Sequence, residues 1–424
     1  MEWIVFLVFF LLLLLRVPVA VSLVVSAALA LMDSGFNLDV LPQKIFSSLN
    51  VSTLMAIPGF ILAGVLMARG GISKALIDAL RAWVGHFSGG LSVVTVLACA
   101  VFAAISGSSP ATAAAIGAIM IPGMVEAGYS KRYAMGLVAA SGTLGILIPP
   151  SIPLIVYGTV AEESIGKLFM AGFLPGLFLT AVLVVVAIVY ARWKNFGRLP
   201  KASWHDRFVL SVRALPAALL PLLILGSIYK GIATPTEASV VACVYSLLVA
   251  VFVYRQITWK DARTILRETV NTSSMVFFII AGATVFGLYL TNEQVPQNIA
   301  AWIMEGDINK WTFLIACNIL FFIMGMFLEP TSIILITLPI FLPILKLLGI
   351  DVIHFAIIMT VNMELGMVTP PVGLNLFVVS GIARAKLEEV VRGIMPFIAL
   401  MILVLVVIVV WPQLSLWLPV QMAN

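Results

Sequence analysis

Charged residues are scarce in this 424-residue chain: Asp, Glu, Lys and Arg make up only 10% of it, whereas 62% is hydrophobic. A soluble domain carries about 25% charged residues, so the composition excludes a soluble globular protein. The apolar runs are continuous rather than alternating, which excludes a membrane β-barrel. The sequence therefore predicts an all-α polytopic membrane protein embedded in the lipid bilayer.

Cysteine is also rare, and Cys99, Cys243 and Cys317 lie scattered in apolar context without CxxC spacing. Neither a disulfide framework nor a metal site is indicated. The sequence contains no GxxxxGK[ST], HExxH or GxSxG motif, so we expect no enzyme, no catalytic residues, no organic cofactor and no self-contained nucleotide-driven pump. The net charge of +5 comes from short loops between apolar runs, which indicates cytoplasmic loops rather than nucleic-acid binding.

The N-terminal segment does not have the pattern of a cleavable signal peptide. Met1–Leu15 lacks a basic start and a small-residue cleavage site, and we interpret it as the first membrane segment. The apolar run Met1–Met32 is too long for one straight span and is interrupted at Arg16–Pro18. It predicts two short spans.

Two hydrophobic stretches contain helix-breaking residues. Ser141–Pro153 reads SGTLGILIPPSIP, and Met363–Leu374 reads MELGMVTPPVGL. A soluble protein would use such glycines and double prolines for a turn, but here they lie inside apolar runs long enough to cross a bilayer. Two broken membrane helices in corresponding places of two halves are typical of a secondary transporter's binding site.

Polar residues interrupt two further apolar stretches. Gly90–Met124 contains Ser106–Thr112 (SGSSPAT) at its middle, and Trp311–Leu348 contains Glu329–Ser332 (EPTS). Two short helical arms around a polar tip predict a re-entrant hairpin. Non-helical backbone at that depth is tolerated only when it is buried in protein or lines a cavity.

The two halves match in order and spacing. Pro149 and Pro370 lie 221 residues apart, and the hairpin prolines Pro110 and Pro330 lie 220 apart. Because the whole series of elements occurs twice, chance likeness of apolar segments does not explain it. The predicted organisation is as follows: 1–52, N-terminal scaffold helices; 53–190, repeat 1 (span, interfacial arm, cytoplasmic-side hairpin about 88–127, broken helix 132–162, span); 191–271, cytoplasmic loop and two scaffold spans; 272–412, repeat 2 (span, interfacial arm, periplasmic-side hairpin about 311–348, broken helix 352–383, span).

Charge predicts the orientation of the two repeats. The first amphipathic segment is predicted to be a helix at Ile72–Val84. Basic residues surround this segment and the base of the first hairpin: Arg69, Lys74, Arg81, Lys131 and Arg132. Acidic residues accompany the second: Glu293, Glu305 and Asp307. By the positive-inside rule the first hairpin enters from the cytoplasm and the second from outside. This arrangement is an inverted-topology repeat.

A helix broken inside the membrane exposes backbone groups that bind ions. Its free carbonyls, together with Ser and Thr hydroxyls, can coordinate Na⁺. The N-terminus of the helix segment after the break favours an anion. We therefore expect one Na⁺ site in each half and an organic anion between the hairpin tips. For a single Ser or Thr the alternative is a bond to its own helix backbone. Glu329 and Glu364 are either functional or structural glutamates that are protonated or lie at the interface.

Four motifs carry a family resemblance: AIPGFILAG (56–64), FAAISGSSPATAAAIGAIMIPGM (102–124), SGTLGILIPPSIPLIVYG (141–158) and MELGMVTPPVGLNLFV (363–378). They resemble the large membrane subunit (M subunit, dicarboxylate/sialate type) of tripartite ATP-independent periplasmic (TRAP) transporters. The likeness covers nearly the whole chain. It implies an elevator-type fold of the ion-transporter superfamily in the bacterial inner membrane.

The resemblance also implies partners and a transported substrate. The partners are a small four-helix membrane subunit, expected as a separate chain, and a periplasmic substrate-binding protein. The substrate is a small organic acid anion, such as a C4-dicarboxylate, sialic acid or another sugar acid, taken up with Na⁺ as coupling ion. Na⁺ ligation carries over to Ser106, Ser108, Ser109, Thr112 and Gly145, and to Glu329, Thr331, Gly366 and Thr369. We expect the substrate at Ser108, Thr143, Pro150, Asn362 and Pro371.

A stand-alone Na⁺/organic-anion symporter of related fold, acting without a binding protein, is the alternative. A channel or membrane enzyme is disfavoured by the doubled hairpins and the missing catalytic motifs. No arginine stands out in the sequence as a partner for a substrate carboxylate.

Overall fold

The structure, a computed structural model, describes residues 2–194, 196, 199–306 and 308–421. Asp307, used above for the orientation, lies outside the described residues. Within the described ranges the regular structure is helical, and three helices precede the first predicted repeat: α1 (Glu2–Leu14), α2 (Val19–Asp33) and α3 (Val40–Leu49). The chain turns between α1 and α2 at Arg16, which has a φ of 64°.

The region of the first predicted repeat contains eight α-helices, which a short 3-10 helix at Ser52–Met55 precedes. Serine hydroxyls accept backbone N–H groups at the start of several of them, at Ser108, Ser130, Ser151 and Ser164, as expected of N-caps. The helices are α4 (Ala56–Arg69), α5 (Ile72–Val84), α6 (Gly90–Ser106), α7 (Ser109–Glu126), α8 (Lys131–Gly142), α9 (Leu144–Leu147), α10 (Ile152–Ala161) and α11 (Ile165–Trp193).

The remaining helices follow in a similar order. Two of them, α12 (Trp204–Tyr229) and α13 (Pro235–Leu248), connect the two regions. The rest are α14 (Trp259–Asn292), α15 (Val295–Glu305), α16 (Lys310–Gly325), α17 (Pro330–Leu347), α18 (Val352–Met367), α19 (Leu374–Ala383), α20 (Leu387–Val410) and α21 (Gln413–Gln421). Eight segments of the described ranges are long and apolar enough to cross a membrane.

Helix α14 starts well before residue 272, where the first span of the second repeat was predicted to begin. It begins at Trp259, where Thr258 and Asp261 form a capping box. Such a box satisfies two free N–H groups and fixes a helix start. The basic stretch with Lys260, Arg263 and Arg267 is therefore the first part of this helix.

The helices pack in two sets of matching pairs. In the first set, α2 packs on α14 and α4 packs on α13. In the second set, α10 packs on α17 and α19 packs on α7. Thus the second part of each broken helix lies against the hairpin of the other half.

Close backbone contact fixes the first broken helix against α20. A Cβ atom added at Gly136 of α8 would collide with the carbonyl oxygen of Gly393 in α20. Real Cβ atoms do not approach a carbonyl oxygen this closely, so a larger residue would push the helices apart. Small residues at such crossings are typical of membrane helix packing.

Gly136→Ala should therefore lower the thermal unfolding temperature of the purified protein, because overpacking costs about 1–3 kcal/mol. Gly226→Ala in α12 is the matched control, since no heavy atom lies within 4 Å of its added Cβ. Fluorescence-monitored unfolding in detergent compares the two. Equal unfolding temperatures would contradict the proposed helix contact.

Candidate functional site

The first hairpin tip is a compact cluster of oxygen atoms. Helix α6 ends at Ser106, Gly107 has a φ of 60°, and α7 starts after Ser108. The hydroxyls of Ser106 and Thr112 are 2.8 Å apart, and Thr112 donates to the Ser108 carbonyl at 2.9 Å. Ser106 also donates to that carbonyl at 3.3 Å. Neutral hydroxyl and carbonyl oxygens in contact suit an alkali cation.

The first helix break packs directly on this tip. The amide of Ile152 donates to the Gly107 carbonyl at 3.4 Å. A Cβ atom added at Gly145 would lie 2.5 Å from the Ser108 carbonyl oxygen. Only glycine permits this approach, so Gly145 brings the break to the oxygen cluster through its lack of a side chain.

The second tip and break repeat this arrangement. The amide of Gly373 donates to the Met326 carbonyl at 3.1 Å, and it lies two residues beyond Pro371 as Ile152 lies two beyond Pro150. A Cβ atom added at Gly366 would lie 2.6 Å from Gly325. The peptide bond between the paired prolines is cis in both breaks.

The second tip differs from the first in its charge. Glu329 occupies the N-cap position of α17 and lies beside Ser332. Thr331 and Ser332 are buried in the first turn of α17. The Thr369 hydroxyl donates to the Leu365 carbonyl at 2.7 Å. A carboxylate thus stands where the first tip has only hydroxyls and carbonyls.

A side-chain contact joins the two halves at the first tip. Asn375, at the start of α19, donates to the Ser109 hydroxyl at 2.6 Å. Both residues are fully buried. The second broken helix therefore touches the first hairpin tip.

Both tips line one cavity of about 1210 Å³. Helices α4 and α14 and the start of α2 form the opposite wall. The cavity is large enough for a small organic acid. Its polar lining comes mainly from the two tips and from one ion pair, between Arg69 of α4 and Glu268 of α14.

The predicted site residues fall into two groups with respect to this cavity. Those that line it are Ser106, Ser108, Ser109, Glu329 and Thr331. Those that are not part of its lining are Thr112, Gly145, Gly366, Thr369, Thr143, Pro150, Asn362 and Pro371. Thr112, Gly145, Gly366 and Thr369 stand behind the lining, at the tips and breaks.

Two predicted substrate residues have partners elsewhere in the protein. The Thr143 hydroxyl donates to the Ala140 carbonyl at 2.7 Å. The Asn362 amide donates to the side-chain oxygen of Asn318 in α16 at 2.7 Å. The hydrogen bonds of both side chains therefore go to residues outside the cavity lining.

Several polar residues of the region were not predicted from the sequence. Arg69 is the only Lys, Arg or His among the described residues that line the cavity. Ser151 caps α10 and donates to the Ile146 carbonyl at 2.6 Å. The Arg69–Glu268 and Ser109–Asn375 pairs join residues far apart in sequence, so no local signal could reveal them.

Glu364 is the other acidic group noted in the sequence. It is fully buried in α18, and both its carboxylate oxygens lack a hydrogen-bond partner among the described residues. It does not line the cavity. An uncompensated buried carboxylate is costly, so Glu364 is a candidate protonation or ion site.

Comparisons with known proteins agree with these features. The family model described as "Tripartite ATP-independent periplasmic transporter, DctM component" matches residues 6–414. The chain is 47% identical to the C4-dicarboxylate TRAP transporter large permease protein DctM of Pseudomonas aeruginosa, over 94% of this chain and 93% of that protein. It is 35% identical to the sialic acid TRAP transporter large permease protein SiaM of Vibrio cholerae, over 95% and 94%.

A solved structure shares the fold. The crystal structure of the Alcanivorax borkumensis YdaH transporter matches with a TM-score of 0.64 at 16% identity, over 90% of this chain and 88% of that one. This likeness concerns the fold alone. Together, the family match and the identities confirm the resemblance drawn from the sequence motifs: the chain belongs to the DctM family of TRAP transporter large membrane subunits and is a multi-pass protein of the bacterial inner membrane.

Proposed function

We propose that this chain carries out Na⁺-coupled uptake of a small organic acid anion. A periplasmic binding protein delivers the anion, and a small four-helix membrane subunit completes the transporter. The observation that carries the proposal is the common cavity of the two hairpin tips, each tip hydrogen-bonded to its own broken helix. Relatives named for C4-dicarboxylate and sialic acid transport support it.

One Na⁺ site lies at each tip. In the first half the ligands are oxygens of Ser106, Ser108 and Thr112, with Ser109 and Gly145 completing the site. In the second half Glu329, Thr331, Gly366 and Thr369 supply it, and the carboxylate adds a negative charge. Bound Na⁺ neutralises part of the anion's charge in the low-dielectric cavity.

The anion lies between the tips, in the cavity. The N-termini of α7 and α17 reach its lining through Ser109 and Thr331, and helix N-termini favour anions. Arg69 provides the only cationic side chain among the described lining residues. A C4-dicarboxylate is the preferred substrate class, because the 47% identical relative carries that name.

The cavity separates the parts that move in an elevator cycle. Helices α4 and α14 form a static wall. The moving body consists of both re-entrant hairpins and both broken helices, and an inverted-topology repeat relates its two halves. Helix pairing supports this division, because each broken helix packs on the hairpin of the other half. The two hairpins and breaks would therefore move together.

Uptake by the reconstituted transporter tests the function. The chain and the small subunit are placed in proteoliposomes, and uptake of radiolabelled succinate is measured with the binding protein outside. An inward Na⁺ gradient should drive accumulation, and omitting either Na⁺ or the binding protein should abolish it. Uptake that persists without the binding protein would instead support the stand-alone symporter, and uptake without Na⁺ would overturn Na⁺ coupling.

Thr112→Val should raise the Na⁺ concentration for half-maximal uptake about tenfold, because it removes a hydroxyl that binds the ion. Thr112 does not line the cavity, so the substrate KM at saturating Na⁺ should stay unchanged. Thr180→Val is the control: that buried hydroxyl bonds the Gly176 carbonyl at 2.7 Å within α11. If both variants lose thermal stability equally and keep the same Na⁺ dependence, Thr112 is structural.

Arg69→Gln should raise the KM for succinate about tenfold, because the anion loses a charged hydrogen-bond donor. Glu268→Gln should have the opposite effect, since it frees Arg69 from its carboxylate partner. Lys74→Gln removes an exposed charge of α5 outside the cavity lining and should leave KM unchanged. Should Glu268→Gln and Arg69→Gln impair uptake alike, the ion pair holds α4 to α14 and does not bind substrate.

A further inference from the structure

A buried arginine lies at the corner between α5 and α12, away from the cavity. Arg207 is only 6% exposed, and its guanidinium lies over two indole rings that are nearly perpendicular to each other. Its Cζ atom lies 5.4 Å from the Trp83 ring centre and 5.0 Å from the Trp204 ring centre. We refer to Trp83, His86, Lys201, Trp204 and Arg207 as the α5–α12 corner.

The charge of Arg207 is not balanced by a carboxylate. Its Nε and Nη2 atoms are buried without a hydrogen-bond partner, and no described carboxylate is within salt-bridge distance. The neighbouring Asp206 is bonded to the Ser203 hydroxyl at 2.6 Å. Stacking on indole rings stabilises a cation, but it leaves the N–H groups unsatisfied. A buried, unpaired donor of this kind costs free energy.

One further positive charge, that of Lys201, acts on the same corner. Desolvation, and then the charges of Arg207 and Lys201, hold the pKa of His86 below its usual range. The loop backbone is fixed beside it, because the Leu199 amide donates to the Gly85 carbonyl at 3.2 Å. The corner is therefore a cationic site without a carboxylate partner in the part of the chain that the structure describes.

The corner also has the character of a membrane interface. Trp204 is 72% exposed and Phe208 is 70% exposed, and exposed tryptophans are typical of the headgroup level. The basic residues of 192–207 put this end of α12 on the cytoplasmic side. Basic pockets between membrane helices on that side bind anionic lipid headgroups.

We infer that the α5–α12 corner binds the phosphate of an anionic phospholipid from the cytoplasmic leaflet. The phosphate oxygens would accept hydrogen bonds from Arg207 and Lys201, as phosphates do from arginine. The exposed rings of Phe87, Trp204 and Phe208 would contact the glycerol and upper acyl chain. A soluble phosphate would make the same polar contacts but would leave these rings in water.

Native mass spectrometry of the delipidated full-length chain in detergent tests the inference. Phosphatidylglycerol, phosphatidylcholine and inorganic phosphate are the probes. The wild type should bind one phosphatidylglycerol more tightly than phosphatidylcholine. Arg207→Gln should weaken phosphatidylglycerol binding about tenfold, because it removes a charged hydrogen-bond donor. Arg207→Lys keeps the charge and should weaken it less.

Two further variants separate lipid binding from folding. Lys201→Gln changes an exposed side chain and should weaken phosphatidylglycerol binding about fivefold, as one basic residue near an anionic surface does. Lys230→Gln changes an exposed lysine at the other end of α12 and should change nothing. Equal binding by wild type, Arg207→Gln and Lys201→Gln would overturn the inference. Binding of inorganic phosphate that excludes phosphatidylglycerol would overturn the lipid as occupant.

Discussion

Backbone hydrogen bonding is the constraint on which the fold depends. Inside a bilayer an unpaired N–H or C=O group has no water to bond, so a broken helix must find partners in the protein. Here the two breaks find them at the hairpin tips, through the Ile152–Gly107 and Gly373–Met326 backbone bonds. The same contacts that satisfy the backbone also bring the breaks to the cavity.

Glycine makes these contacts possible. Gly145 and Gly366 allow backbone to approach backbone at distances where a Cβ atom would collide. Helix packing and the proposed ion sites therefore depend on the same backbone atoms. A substitution that loosens this packing would also move apart the hydroxyl and carbonyl oxygens of the tips.

Helix boundaries and helix breaks were the features of the structure that the sequence predicted best. The amphipathic pattern predicted α5 at Ile72–Val84, and the structure has the helix at those residues. Prolines and glycines likewise located the tips and breaks, because they act on their own backbone. The early start of α14 was missed because its charged first turns resemble a loop until the capping box at Thr258 is considered.

Long-range partners were beyond such reasoning. Nothing near Arg69 in the sequence indicates Glu268, and Asn362 gives no sign of Asn318, since these pairs depend on how distant helices cross. The sequence therefore predicted where the polar residues of the two tips lie, and their role as Na⁺ ligands stays a prediction. It did not predict which side chains face the cavity.

The hydrogen bond from Asn375 to Ser109 connects the second broken helix to the hydroxyl group at the first hairpin tip. A ligand that uses the Ser109 hydroxyl must compete with an amide that belongs to the other half of the molecule. If a ligand displaces this amide, its binding at the first tip and the free energy of the second broken helix become linked, and the linkage is reciprocal. The buried side-chain amide of Asn375 would then link the ligand affinities of the two halves.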